Sequence, residues 1–115
     1  TILLTLQHIF GVDYTVVQKT NGKESLEWMN EGNIPDIIIA DLNMPEMDGY
    51  EFIKHVRASG FFRNIPLIML SGNEKTQDKI KALQQGADDY LVKPFNPDEL
   101  KARIANIFRI LNREL

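Results

Sequence analysis

The sequence predicts an α/β protein with a parallel sheet, and three observations support that class. Short runs rich in β-branched residues alternate with segments that have helical spacing. The β-rich runs are continuous rather than alternating, which is typical of strands buried on both faces. The connections between them exceed the roughly dozen residues that a parallel crossover needs. Residues 1–115 are therefore expected to form one α/β domain with a single core.

Four short runs are predicted to be strands. In the second run, Ile37 to Ala40 are apolar without a break, and the run then stops at an acid, Asp41. The same change from apolar to polar closes the third and fourth runs. The four predicted strands are "YTVVQ" (14–18), "DIIIAD" (36–41), "PLIMLS" (66–71) and "DYLVK" (89–93).

Helical spacing predicts a helix after each of these strands. Gly32, Gly60 and Gly86 stand where the first three of these helices are expected to end. For the last helix, Asn96 is the predicted N-cap and Pro97 the first helical residue. The apolar residues that define the four helices are Leu26, Trp28 and Met29; Phe52, Ile53 and Val56; Ile80, Leu83 and Ala87; and Leu100, Ile104, Ile107 and Leu111.

Charge and composition exclude several classes of partner. The net charge of -3 and the pI near 5.3 argue against nucleic acid or an anionic membrane as a direct partner. The absence of cysteine excludes a disulfide framework and a thiolate metal site, and it suits the reducing cytoplasm. The opening "TILLTL" is too short to span a membrane. We therefore expect a cytoplasmic globular domain.

Three predicted strands end in a reactive or polar side chain, namely Asp41, Ser71 and Lys93. Each of these residue types is common at the end of a strand, so none of the three indicates a function on its own. The carboxyl ends of parallel strands meet at one edge of the sheet, however, so the three side chains are expected to lie together. A carboxylate can attack phosphorus, a hydroxyl can bond a phosphoryl oxygen, and an ammonium can neutralise another. The constellation indicates phosphoryl transfer.

The stretches that carry these residues resemble the response regulator receiver domain over nearly the whole chain. They are "DIIIADLNMPEMDGYEFIKHVR", "IPLIMLSG" and "GADDYLVKPF", in the family's order and spacing. The resemblance implies a flavodoxin-like, doubly wound parallel sheet with strand order 2-1-3-4-5. It implies a signalling module, not an enzyme, in which Asp41 takes a phosphoryl group from a histidine kinase or a His-phosphotransfer protein.

The resemblance also implies Mg²⁺ as a cofactor, bound by Asp41 and by the backbone carbonyl of Asn43. Pro45 stiffens the loop between them and the next helix, because proline restricts itself and its predecessor. The peptide bond before Pro94 is commonly cis in the family, which requires proline. Asp48-Gly49 is predicted to be a turn and helix start without a catalytic role.

Two residues are implied to be a switch. Ser71 matches the residue whose hydroxyl moves toward the phosphoryl group, and Tyr90 matches an aromatic that turns inward on activation; an ordinary half-buried strand tyrosine is the alternative. The surface that responds comprises the last helix, the last strand and the helix before them. That surface is where an output domain or a second copy would bind.

The sequence departs from the family at its start, where receivers have a first strand ending in acids that hold Mg²⁺. No acid cluster precedes Asp41, and "TILLTLQHIF" fits either a first helix or a short first strand. The missing strand would be the central one, and each unpaired buried group would cost roughly 1–3 kcal/mol. We therefore expect residues beyond those given: either a leading central strand before Thr1, or, if "TILL" is that strand, an acidic loop after it.

Two other functions remain open. A degenerate receiver would bind partners without being phosphorylated, which the missing acids favour. A haloacid-dehalogenase type phosphatase would need a second acid two residues after Asp41, where this chain has Asn43. The acid pair Asp88-Asp89 precedes a strand and is expected at the opposite edge of the sheet, and His8 and His55 have no ligand partners nearby in sequence.

Overall fold

The computed structural model describes residues 17, 19, 21–42, 47–72 and 76–114. Within them, helices and strands alternate as predicted. The predicted strand 14–18, except for Val17, and the opening segment lie outside the described residues, and so does the expected central strand. The elements are α1 (Gly22–Asn30), β1 (Ile38–Asp41), α2 (Gly49–Ala58), β2 (Leu67–Ser71), α3 (Thr76–Gln85), β3 (Asp89–Val92) and α4 (Pro97–Glu114).

The described strands form one parallel sheet in the order β1-β2-β3. Asp41 is in register with Leu70, and Ser71 with Val92. The strands are therefore aligned at their carboxyl ends, and we call that side of the sheet the carboxyl edge and the opposite side the amino edge. The order agrees with the last three strands of the expected 2-1-3-4-5 arrangement.

Helices cover both faces of the sheet, which explains why the strands are apolar on both sides. On one face, Ala40, Met69 and Tyr90 belong to a cluster that includes residues of α1, α2 and α3. On the other face, among the described residues, the cluster joins the sheet to α4. Its buried residues are Ile68, Leu70, Leu91, Leu100 and Ile104.

Three helices begin at a side chain that accepts a hydrogen bond from the first turn, which satisfies a backbone N–H that has no partner within the helix. Asn21 accepts from Glu24 N at 2.8 Å, and Asp48 accepts from Glu51 N at 2.9 Å. Before α4, Asn96 Oδ1 accepts from Asp98 N at 2.8 Å. The predicted helix starts at Asp48-Gly49 and at Asn96-Pro97 are confirmed.

Helix α3 faces the core differently from what its apolar spacing suggests. Ile80 and Leu83 are 47% and 44% exposed, whereas Ala82 between them is fully buried. The helix packs closely on the sheet through a small residue, and its larger apolar residues lie at the surface. Among the described helices, none combines the length and the apolar character needed to cross a membrane.

The amino edge is held by Arg57 of α2 and by Asp88. The guanidinium of Arg57 donates to Asp88 Oδ2 at 3.0 Å and to the backbone oxygens of Gly86 (2.9 Å) and Ile65 (2.6 Å). Asp88 Oδ2 also accepts from Leu67 N at 2.8 Å. The predicted location of Asp88 is confirmed, and its role there is to join α2 to the starts of β2 and β3.

Candidate functional site

Asp41 and Lys93 meet at the carboxyl edge. Asp41 is the last residue of β1 and Lys93 follows β3 directly, and Lys93 Nζ lies 2.7 Å from Asp41 Oδ2. Their side chains are 31% and 24% exposed, so a reactant can reach the pair from solvent. The Lys93-Pro94 peptide bond is cis, an isomer that the sequence by itself left undecided.

Ser71 lies between these two residues at the end of the middle strand. It is fully buried, and its backbone oxygen accepts from Lys93 N at 2.7 Å. Because β2 pairs with both neighbours, the strand ends place Asp41, Ser71 and Lys93 side by side along the edge. The three residues that the sequence predicts together therefore share one site.

The backbone around Asp41 is held firmly from both sides. Leu42 N donates to Leu70 O at 2.8 Å, and Gly49 N donates to Leu42 O at 2.8 Å. The start of α2 is packed so closely here that a Cβ on Gly49 would lie 2.7 Å from Leu42 Cα and 3.0 Å from Asp41 O. Glycine at this position allows the helix to pack directly against the end of β1.

Tyr90 of β3 points into the core, where it is 5% exposed and belongs to the cluster on the α1–α3 face of the sheet. Lys79 Nζ of α3 lies 6.0 Å from the centre of its ring. The Tyr90 ring therefore lies in the inward position in the same structure in which Lys93 contacts the Asp41 carboxylate.

The described residues contain only part of a metal site. Across residues 21–42, 47–72 and 76–114 there is no group of three or more His, Cys, Asp or Glu side chains that could hold a metal. Asp41 supplies one carboxylate, the type of ligand that Mg²⁺ prefers. Asn43 and Pro45, predicted as a ligand and as a loop-shaping residue, lie outside the described residues.

The arrangement is suited to attack on an anionic group. Asp41 offers a carboxylate oxygen on a rigid strand end, and the Lys93 ammonium beside it can offset negative charge that arrives there. Asp89, by contrast, does not belong to this site. Its carboxylate accepts hydrogen bonds of 2.8 and 2.9 Å from Arg103 of α4.

The sequence gives no signal for one neighbour of the site, Tyr50. Its hydroxyl donates to the backbone oxygen of Asp78 in α3 at 3.3 Å, and Lys81 Nζ lies 4.2 Å from its ring centre. Burial raises the pKa of Tyr50, and the negative charge of Asp78 raises it further.

Comparison with known proteins identifies the family. The sequence profile described as "Response regulator receiver domain" matches residues 2–105. The chain is 44% identical over 108 residues to the "Probable transcriptional regulator ycf27" of Cyanidium caldarium, covering 94% of this chain and 41% of that protein. It is 35% identical over 95 residues to the response regulator Rre1 of Synechocystis, covering 83% and 41%.

Solved structures agree in fold. The receiver domain of the Francisella response regulator 1452 superimposes with a TM-score of 0.86 at 34% identity, covering 96% of this chain and 89% of that one. The signal receiver domain of a histidine kinase from Syntrophus aciditrophicus gives 0.86 at 31% identity, covering 96% and 83%.

These comparisons confirm the expected flavodoxin-like receiver fold. The first three curated relatives are longer than this chain, which spans 39% to 44% of their length.

Proposed function

Since this chain belongs to the response regulator receiver family of two-component signalling, we propose that Asp41 is its phosphoacceptor. The observation that carries the proposal is the 2.7 Å contact of Lys93 Nζ with Asp41 Oδ2 at an edge that also holds Ser71. The donor is a phosphohistidine on a histidine kinase or on a His-phosphotransfer protein. A carboxylate and an ammonium paired at a solvent-accessible strand end are suited to take over such a group.

The transfer step forms one bond and breaks one. An Asp41 carboxylate oxygen attacks phosphorus, the P–N bond of the phosphohistidine breaks, and its electron pair returns to the imidazole nitrogen. Lys93 then pairs with a phosphoryl oxygen instead of the carboxylate, and the Ser71 hydroxyl donates to another. Both contacts are charge-assisted hydrogen bonds, so they favour the phosphorylated product.

Mg²⁺ is part of the proposal, held by Asp41 and by the backbone carbonyl of Asn43. When bound, it would neutralise charge on the transferring phosphoryl group. The carboxylate of Asp41 and a backbone carbonyl are the oxygen ligands that Mg²⁺ prefers. Water molecules or further carboxylates would complete its coordination.

The response is proposed to involve Ser71, Tyr90 and the surface formed by α3, β3 and α4, which we call the output face. Tyr90 already lies inward, so phosphorylation would stabilise this position rather than create it. The output face carries the exposed residues Ile80 and Leu83 and the Arg103–Asp89 ion pair. A surface that combines exposed apolar residues with an ion pair suits a protein partner, either an output domain or a second copy of the receiver.

The relatives suggest the setting of this module. Several are named as transcriptional regulators, among them the phosphate regulon regulatory protein PhoB of Escherichia coli, which is 43% identical over 75 residues. We propose that the receiver unit of residues 1–115 acts in the cytoplasm and controls such an output through its output face. Direct contact with nucleic acid is not part of its own role, given its net charge of -3.

Phosphorylation of the protein tests the proposal. Incubation with a small phosphodonor and Mg²⁺ is expected to add one phosphoryl group by intact mass, and Asp41→Asn is expected to abolish it. Modification that persists in Asp41→Asn would assign the acceptor to another residue.

A second candidate, a receiver that binds partners without phosphorylation, is favoured by the lack of paired acids before Asp41. It would be supported if the unaltered protein takes no phosphoryl group but still binds a kinase or phosphotransfer partner in a pull-down.

A further inference from the structure

Tyr50 connects the first turns of helices α2 and α3. It lies in the first turn of α2, and its hydroxyl donates to the Asp78 backbone oxygen in the first turn of α3 at 3.3 Å. From one turn further along α3, the Lys81 ammonium lies over the Tyr50 ring, 4.2 Å from its centre. Contacts of two kinds therefore fix the same end of α3 to the same side chain.

The other end of this connection is the backbone of the phosphoacceptor strand. Tyr50 follows Gly49, whose N–H bonds to Leu42 O, and Leu42 follows Asp41. The tight packing of Gly49 against Leu42 and Asp41 leaves the start of α2 little freedom to move relative to the strand end. Tyr50 is therefore a short, rigid extension from the Asp41 segment to α3.

Helix α3 also covers Tyr90. Its Lys79 lies over the Tyr90 ring at 6.0 Å, and Tyr50 packs against the cluster of buried residues that contains Tyr90. The Tyr90 ring is 5% exposed and Lys79 of α3 lies over it, so we expect outward rotation of Tyr90 to be accompanied by movement of α3. Whatever holds the first turns of α3 in place therefore also favours the inward Tyr90.

We propose that Tyr50 is a positioning residue of the switch, which holds the start of α3 against α2 and thereby keeps Tyr90 inward. The role of Tyr50 in signalling rests on the proposed function. Its effect on the position of α3 does not depend on that function. Tyr50 acts through α3 and touches no reacting atom. It gives the Asp41 segment a direct connection to the output face, separate from the strand that carries Ser71.

Hydrogen exchange of backbone amides in the unphosphorylated protein tests this. Tyr50→Phe removes the hydroxyl and keeps the ring beneath Lys81, and it is expected to raise exchange of the α3 amides about fivefold, the effect of one ordinary hydrogen bond. Tyr50→Leu removes both contacts and is expected to raise exchange further. Amides of β2 and α4 are expected to keep their rates, and the Tyr90 ring resonances are expected to shift toward a more exposed environment.

Matched lysine variants keep the test decisive if a Tyr50 variant folds poorly. Lys81→Met removes the charge over the Tyr50 ring and is expected to raise α3 exchange, whereas Lys101→Met on the exposed side of α4 is expected to leave it unchanged. Unchanged α3 exchange in Tyr50→Phe, or a parallel rise in all elements, would overturn the proposal. A purely structural role predicts that parallel rise.

Beryllofluoride with Mg²⁺ separates this proposal from the phosphoacceptor function. If Asp41 is the acceptor, the phosphoryl mimic is expected to raise α3 protection and favour inward Tyr90 in the unaltered protein, and to do so less in Tyr50→Phe. If the unaltered protein binds no beryllofluoride, the phosphoacceptor function fails, while the exchange result still decides the role of Tyr50. If the mimic binds and raises α3 protection equally in Tyr50→Phe and in the unaltered protein, Tyr50 is not coupled to the Asp41 site.

Discussion

The side chain of Lys93 illustrates how a functional contact differs from a stabilising one. Its ion pair with Asp41 is short, at 2.7 Å, but both side chains remain about a quarter to a third exposed. Pairs of that kind contribute roughly 0–1 kcal/mol to folding, because water screens the charges and ordering the side chains costs entropy. The residue is therefore placed for chemistry more than for stability.

Replacing Lys93 separates these roles. Lys93→Ala is expected to leave Asp41 able to accept a phosphoryl group and to change the free energy of unfolding by less than about 1 kcal/mol. The change at the output face is expected to weaken, because no ammonium holds the phosphoryl oxygen. Ser71→Ala is expected to weaken it more mildly, through loss of one hydrogen bond of about 1–3 kcal/mol. Chemical shifts around Tyr90, with and without phosphodonor, provide the measurement, and full switching in both variants would contradict the mechanism.

Tyr50 is expected to make stability depend on alkaline pH. Burial raises its pKa, with further contributions from Asp78, Tyr90 and Asp48, so the folded state holds the phenol proton more tightly than the unfolded state. Its contribution is complete below the unfolded pKa of about 10 and is lost as pH rises through the raised folded value.

Urea midpoints compared at about pH 9 and about pH 11 measure this effect. They are expected to fall more in the unaltered protein than in Tyr50→Phe, which retains the other tyrosines. An equal fall in both proteins would show that Tyr50 titrates alike in the folded and unfolded states.

At the scale of an element, helix α2 is positioned by its first residue. Glycine has a lower helix propensity than alanine, so Gly49→Ala would stabilise an isolated helix. In this protein the added Cβ would approach Leu42 Cα to 2.7 Å and Met69 Sδ to 3.0 Å. We therefore expect the opposite sign, because close packing prevails over propensity.

Gly49→Ala is expected to lower the free energy of unfolding by about 1–3 kcal/mol, the usual cost of overpacking. It is also expected to slow phosphorylation, since Asp41 O is among the atoms displaced. Gly60→Ala is the matched control, because nothing lies within 4 Å of a Cβ there. Denaturant unfolding and phosphodonor labelling measure the two effects; equal stability in both variants would show that the Leu42 backbone yields without cost.

For the molecule as a whole, the two edges of the sheet have different tasks. The carboxyl edge exposes Asp41 and Lys93, whereas at the amino edge Arg57 bonds to Asp88 and to three backbone oxygens. A charged side chain that satisfies several carbonyls joins elements distant in sequence and contributes more than a surface ion pair. The stabilising contacts of Arg57 therefore lie at the edge opposite to the site where movement is proposed.

Arg57→Met, which keeps much of the aliphatic stem, tests this division. It is expected to lower the free energy of unfolding by about 2–3 kcal/mol, because carbonyl groups lose a charged donor. The folded variant is expected to keep the phosphorylation of Asp41. Arg109→Met, which removes an exposed hydrogen bond to Asn106, is expected to cost less than about 0.5 kcal/mol. Loss of phosphorylation in folded Arg57→Met would show that the two edges are coupled.

The sequence alone determined the alternation of elements and the location of the candidate site. The change from an apolar run to Asp41, Ser71 or Lys93 is a local feature, and parallel strands necessarily bring such ends to one edge. The starts of α2 and α4 were also predictable, because an N-cap acts on the first turn of its own helix. The central strand and the Asn43 ligand stay predictions.

Only the tertiary structure decided the contacts that depend on how helices are rotated and how closely they pack. Tyr50 reaches Asp78 across 28 positions of sequence, and Arg57 reaches Asp88 across 31. The same applies to α3, where the spacing of Ile80 and Leu83 predicted a helix but packing turned Ala82 toward the core. A periodic pattern specifies that a helix has an apolar side, whereas the atoms of its neighbours determine which residues that side buries.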